Sequence, residues 1–179
     1  MKSSRFNLGR ALSLLCAIFF VSFSFISCQQ EEDPEVIYPR SVYDLQGTWS
    51  ASYSSGYTET YVIDLQTNTF DAGSYSYAGN NMVVRFVGTD YGYIYIKYTR
   101  SLCSTHSDFE AYSYIYDEDA EDIGGWYAVA FRKLKDTSID LSGAYLETGV
   151  TSTDTLEEAI STFTIDNGYF ASYSSLTKE

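Results

Sequence analysis

Residues 92–100 read GYIYIKYTR and residues 125–134 read GWYAVAFRKL. In the first stretch Ile94, Ile96 and Tyr98 share one side of an extended chain, and Tyr93, Tyr95 and Lys97 share the other. In the second, Trp126, Ala128, Ala130 and Arg132 oppose Tyr127, Val129, Phe131 and Lys133. Alternation with a period of two is the signature of a β-strand. Here both faces are semi-apolar, and a flat sheet with such faces would expose a sticky edge. Closure into a barrel removes that edge and leaves an interior that side chains can fill or that can hold one small ligand.

The same alternation recurs along the chain, punctuated by turn residues every 8–12 positions, the cadence of a sandwich or barrel. After a short SVYDLQ lead-in, strands are expected at about 47–54, 57–65, 69–78, 81–88, 92–100, 108–117, 125–134 and 137–146. The short links between them, such as QTN, GN and KD, force neighbouring strands to run antiparallel, as a meander. TSTDTLEEAISTF (151–163) then changes period. Asp154 with Glu157 three residues on forms a capping signal, and Leu156, Ala159, Ile160 and Phe163 follow at helical spacing, so a short amphipathic helix is expected. Asn167-Gly168 is a tight-turn signal leading to a final strand at about 168–174. The fold class is therefore all-β: an eight-stranded antiparallel up-and-down barrel with one short C-terminal helix and a final strand.

The order of lead-in, Gly47-x-Trp49 on the first strand, meander, late helix and last strand resembles the lipocalin barrel. The resemblance covers nearly all of residues 41–179. It implies that Trp49 closes one barrel end beneath an arginine from a late strand, for which Arg132 is the best-placed residue. It also implies a container for a small apolar or amphipathic molecule. Thr89-Asp90-Tyr91 matches a second lipocalin tripeptide but falls between the fourth and fifth strands, where the family pattern does not put it.

The N-terminus carries a different message. MKSSRFNLGR holds Lys2, Arg5 and Arg10 and no acid, and the next seventeen residues are uncharged. A basic start, a short apolar run and small residues at its end read as a secretory signal, residues 1–27. The rival, a membrane span, wants about 20 apolar residues; this run is interrupted by serines and followed by acids. Phe25-Ile26-Ser27-Cys28 resembles the lipobox of bacterial lipoproteins. That resemblance implies cleavage before Cys28, acylation of its thiol and amine, and a place in the bacterial envelope, lipid-anchored to the outer membrane. Residues 28–40, rich in acids and holding both prolines of the chain, read as an extended tether.

Loss of the signal with its three cations leaves 152 residues with 8 basic and 24 acidic side chains, a formal net charge of −16. Such a surface repels nucleic acid and anionic headgroups, so attachment to the membrane falls to the lipid on Cys28. At roughly 0.8 kcal/mol per buried methylene, two or three acyl chains hold a protein durably where one does not.

Chemistry-bearing groups are sparse. Cys103 and His106 lack the second pair a structural zinc site needs, and nothing orients them as a nucleophile and base. The acidic loop 117–122 lacks the Gly and Glu of an EF-hand: its sixth and twelfth positions are Asp122 and Ala128. No phosphate loop, nucleophile elbow or dinucleotide fingerprint is present. No catalytic residue, metal or cofactor is therefore assigned. Two function classes stay open: a non-catalytic binder with a small ligand inside the barrel, and an interaction protein whose tyrosine-rich exterior contacts a protein or glycan.

Overall fold

The computed structural model describes residues 39–73, 77–102, 116–117, 120 and 122–179. Among the described residues there are nine strands: β1 (Gly47–Ser52), β2 (Thr58–Asp64), β3 (Thr69–Asp71), β4 (Ala78–Phe86), β5 (Gly92–Leu102), β6 (Tyr116–Asp117), β7 (Trp126–Arg132), β8 (Ser138–Gly143) and β9 (Ser174–Lys178). Two short helices, α1 (Val42–Leu45) and α2 (Leu156–Thr162), complete the described elements. They belong to one unit spanning Ile37–Glu179.

Eight of the strands close an antiparallel up-and-down barrel in the order β1-β2-β3-β4-β5-β7-β8-β9 and back to β1. The class is the expected one, but the staves differ in places: β3 is only Thr69–Asp71, Gly79-Asn80, expected as a link, lies inside β4, and the sixth and eighth places are filled differently. β5 pairs directly with β7, from Gly92 opposite Phe131 to Lys97 opposite Trp126. Of the segment expected as the sixth wall strand, the described residues show Tyr116–Asp117 paired with Ser101–Leu102 beyond the barrel wall; residues 108–115 lie outside the described residues. The eighth place is filled by β9, which bonds β8 on one side and β1 on the other. The chain's last strand thus satisfies the two edges that the meander leaves open.

The alternation read in the two opening stretches sorts the core. Ile94, Ile96, Tyr98, Tyr127, Val129 and Phe131 point into the barrel, with Trp49, Ile63, Phe70, Ile139, Leu141 and Leu176 from other staves. On the outside, Tyr95, Ala128 and Ala130 are buried as well, because α2 lies across them with Ala159 and Phe163. Alanine on the outer face of β7 lets the helix come close; this is why both faces of these strands are semi-apolar.

The wall is bent at β4, where the pairing with β5 shifts between Asn80 and Val83 and Asn81 takes a left-handed φ of 52°. Such bulges sharpen twist and help a sheet close. Gly79 sits at a close approach of the two strands: a Cβ there would lie 2.6 Å from the Lys97 carbonyl oxygen.

Two local expectations are corrected. The helix is capped by Thr155, not Asp154: Thr155 Oγ1 accepts from the Glu158 amide at 3.2 Å, and Glu158 accepts from the Thr155 amide at 3.1 Å. The capping pattern occurs twice in a row in DTLEE, and the later copy wins. The final strand starts at Ser174, not near 168. Asn167 spends its side-chain amide on the helix end, donating to the carbonyls of Ser161 and Thr162 at 3.0 and 2.9 Å. The Asn-Gly pair therefore stops a helix and does not join two strands.

Candidate functional site

One end of the barrel is shut. α1 crosses it, with Leu45 fully buried, and the Trp49 indole donates to the Leu45 carbonyl at 2.8 Å. Gly47 starts β1 at φ 131°, and a Cβ there would lie 2.9 Å from Lys178 Cε. That space admits the lysine stem. Lys178, directly opposite Trp49 in the β1–β9 register, places its ammonium 5.0 Å from the indole centroid and donates to the Asp44 carbonyl at 3.3 Å.

Gly47 and Trp49 lie at this shut end; Arg132 does not. Arg132 follows inward-facing Phe131 and so points out of the barrel. There its guanidinium lies 3.8 Å from the Tyr173 ring centroid, and its Nε donates to Asp140 at 3.1 Å. The signal was present in the sequence, because Arg132 shares a face with Ala128 and Ala130, opposite the core residues. Lys178 was missed because nothing local ties the chain's penultimate residue to its forty-ninth.

The opposite half of the interior is filled by rings. Phe70 stacks on Tyr77 at 5.9 Å, Tyr98 on Tyr127 at 4.8 Å, and Tyr77 meets Tyr127 edge-on at 4.9 Å. The Tyr77 and Tyr127 hydroxyls converge over Gly143, where a Cβ would lie 3.0 and 2.6 Å from them. Tyr127 donates to the Ala144 carbonyl at 3.0 Å. Tyr61 donates to Glu59, which also accepts from Tyr53 at 2.7 Å and Ser174 at 3.0 Å. Burial raises the hydroxyls of Tyr61, Tyr77, Tyr98 and Tyr127 well above the ordinary tyrosine range, since the phenolate would be stranded in an apolar medium.

The two described cavities lie against the outside of the wall. The larger, about 590 Å³, runs between the 146–154 loop and α2, lined by Leu146, Val150, Asp154, Glu158 and Tyr169 among others. The smaller, about 330 Å³, is lined by Asp90, Tyr91, Tyr93, Arg132, Lys133 and Tyr173 with Ile165 at its edge. Beneath it Asp140 is buried and accepts from Lys133 at 2.9 Å, Arg132 at 3.1 Å and Ser175 at 2.7 Å. Burial alone would raise the Asp140 carboxyl; the bonds from Ser175, Lys133 and Arg132 outweigh it and hold the group below the usual carboxylate range. Lys133 takes a left-handed φ of 52° at the end of β7.

Cys28 and the signal, most of the tether, Cys103, His106 and residues 118, 119 and 121 of the acidic loop lie outside the described residues. Asp122, at that loop's end, accepts from Thr151 at 3.0 Å and Ser152 at 2.9 Å, bonds that tie it to the loop before α2. Among the described residues no three His, Cys, Asp or Glu side chains gather as a metal site, and no helix is long and apolar enough to cross a membrane. Comparison with family models, with curated proteins and with solved structures gave no match.

Proposed function

We propose that this protein is a lipid-anchored component of the bacterial envelope that works as a non-catalytic binding module through the outer surface of its barrel. The observation that carries the reading is the filled interior. Trp49, Phe70 and Phe131 are fully buried, and the tyrosine stack occupies the half of the barrel opposite α1. A ligand-holding barrel keeps its interior open for its guest; here the protein's own rings take that place. The anchor is supported by Phe25-Ile26-Ser27-Cys28 and by a net charge that leaves little other route to a membrane.

Native mass spectrometry of the full chain, expressed in a bacterial host and extracted in mild detergent, tests both parts. The expected mass is that of residues 28–179 plus the lipid on Cys28, with no further small molecule, and Cys28→Ala loses the lipid mass. A retained guest molecule would return the function to the barrel interior. Lipid persisting in Cys28→Ala would move the anchor to another residue.

A further inference from the structure

We infer that the 330 Å³ groove on the outer wall is a binding site for a neutral saccharide, the end of a glycan chain. This rests on the outer-surface reading above and gives it a place and a ligand class. Three of the groove's residues are tyrosines, Tyr91, Tyr93 and Tyr173, and three are charged, Asp90, Arg132 and Lys133. The volume lies at the small end of the range for ligand sites, about 300–1,000 Å³.

The groove is built, not merely open. Arg132 is oriented by its Nε bond to buried Asp140, and its guanidinium in turn covers one face of Tyr173. The Tyr93 ring packs against Phe170 at 5.5 Å, and the Tyr93 hydroxyl accepts from the Ile165 amide at 3.4 Å. The Tyr91 ring is folded over Gly88 so closely that a Cβ there would lie 2.0 Å from its Cε1. Rings and donors are therefore held before any ligand arrives, which lowers the ordering cost of binding.

The chemistry selects the occupant. Arg132 and Lys133 are balanced by Asp140 and Asp90, so the groove has no excess cation for an anion, and the chain as a whole carries a formal net charge of −13. An acidic ligand would meet repulsion. A wholly apolar ligand would cover the carboxylate of Asp90 and the terminal amino groups of Arg132 without pairing them, which is costly. A neutral sugar has C–H faces that pack on tyrosine rings. Its hydroxyls both donate, to Asp90, and accept, from Arg132 and Lys133.

The test uses the full chain, detergent-solubilised, against immobilised neutral oligosaccharides of glucose, galactose, mannose and xylose, with uronate-containing oligosaccharides alongside. The best binder is then measured by titration calorimetry. Neutral oligosaccharide is expected to bind, and Tyr91→Ala and Tyr173→Ala each to weaken it about tenfold or more. Tyr145→Ala, on an exposed ring that does not line the groove, should leave affinity unchanged. Tyr91 is itself 42% exposed on a turn, so its variant decides the question even if Tyr173→Ala fails to fold. Absence of neutral binding, a preference for uronates, or equal affinity in Tyr91→Ala would each overturn the inference. Failure here with no guest molecule in the mass spectrum would sink the groove's ligand alone; a guest inside the barrel would sink the outer-surface reading.

Discussion

A cation over the face of an indole is drawn by the ring quadrupole, with an attraction of about 0.5–2 kcal/mol depending on how much water is excluded. At Trp49 that cation is Lys178, and the absent side chain of Gly47 is what gives its stem a path. Arg132, the residue expected over the indole, serves instead to hold Tyr173 and to satisfy buried Asp140. The chain has two tryptophans, so Trp126→Phe leaves Trp49 as the sole indole emitter. In that background Lys178→Ala is expected to change the Trp49 emission and to lower stability by about 0.5–2 kcal/mol in a denaturant titration. Arg132→Ala should leave the emission unchanged. The reverse pattern would put the arginine over the ring. Gly47 and Trp49 were legible as a closure device because they sit together in sequence; their cationic partner was not, because it comes from the other end of the chain.

At the scale of elements, α2 is a helix of seven residues, too short to persist alone in water. It exists because Ala128 and Ala130 leave a shallow bed on β7 into which Ala159 and Phe163 settle, and because both its ends are capped. Thr155→Ala is expected to cost about 1 kcal/mol, the usual loss when an N-cap oxygen is removed. Asp154→Ala should cost under about 0.5 kcal/mol, as the substitution of an exposed residue that is not itself the cap. Thermal unfolding of the two variants side by side checks this, and a larger loss at Asp154 would mean the helix begins one residue earlier. The apolar spacing Leu156, Ala159, Ile160 and Phe163 was readable in advance. The phase of the cap was not, since DTLEE offers two registers and only the docked face decides between them.

For the whole molecule, the tyrosine-filled interior sets a limit on alkaline stability. Tyr61, Tyr77, Tyr98 and Tyr127 stay protonated in the folded barrel far above the ordinary value of 10.0, and burial pushes Tyr95 up to about 12. In the unfolded chain the same groups ionise near pH 10. Above that pH the unfolded state therefore binds fewer protons than the folded one, so stability falls as pH rises, by about 1.4 kcal/mol per pH unit for each such tyrosine. Below pH 10 these groups contribute no pH dependence. Alkaline titration is expected to show a late, cooperative burst of tyrosinate absorbance coincident with loss of β-sheet circular dichroism. A smooth titration of all 18 tyrosines near pH 10 with the sheet intact would contradict a packed interior.

The sequence by itself determined most of the strands, their antiparallel sense, the inward and outward faces of β5 and β7, and the amphipathic face of α2. Each of these depends on residues within a few positions of one another, where backbone geometry and side-chain alternation act directly. Only the tertiary structure decided that β9 rather than the segment before β7 completes the wall, that Lys178 reaches Trp49, and that Tyr91, Tyr93, Arg132 and Tyr173 line one groove. Those outcomes join residues up to 129 positions apart, as in the Trp49–Lys178 pairing. They follow from a global condition, that every strand edge of a closed barrel must find a partner, and no local stretch of chain carries that condition within it.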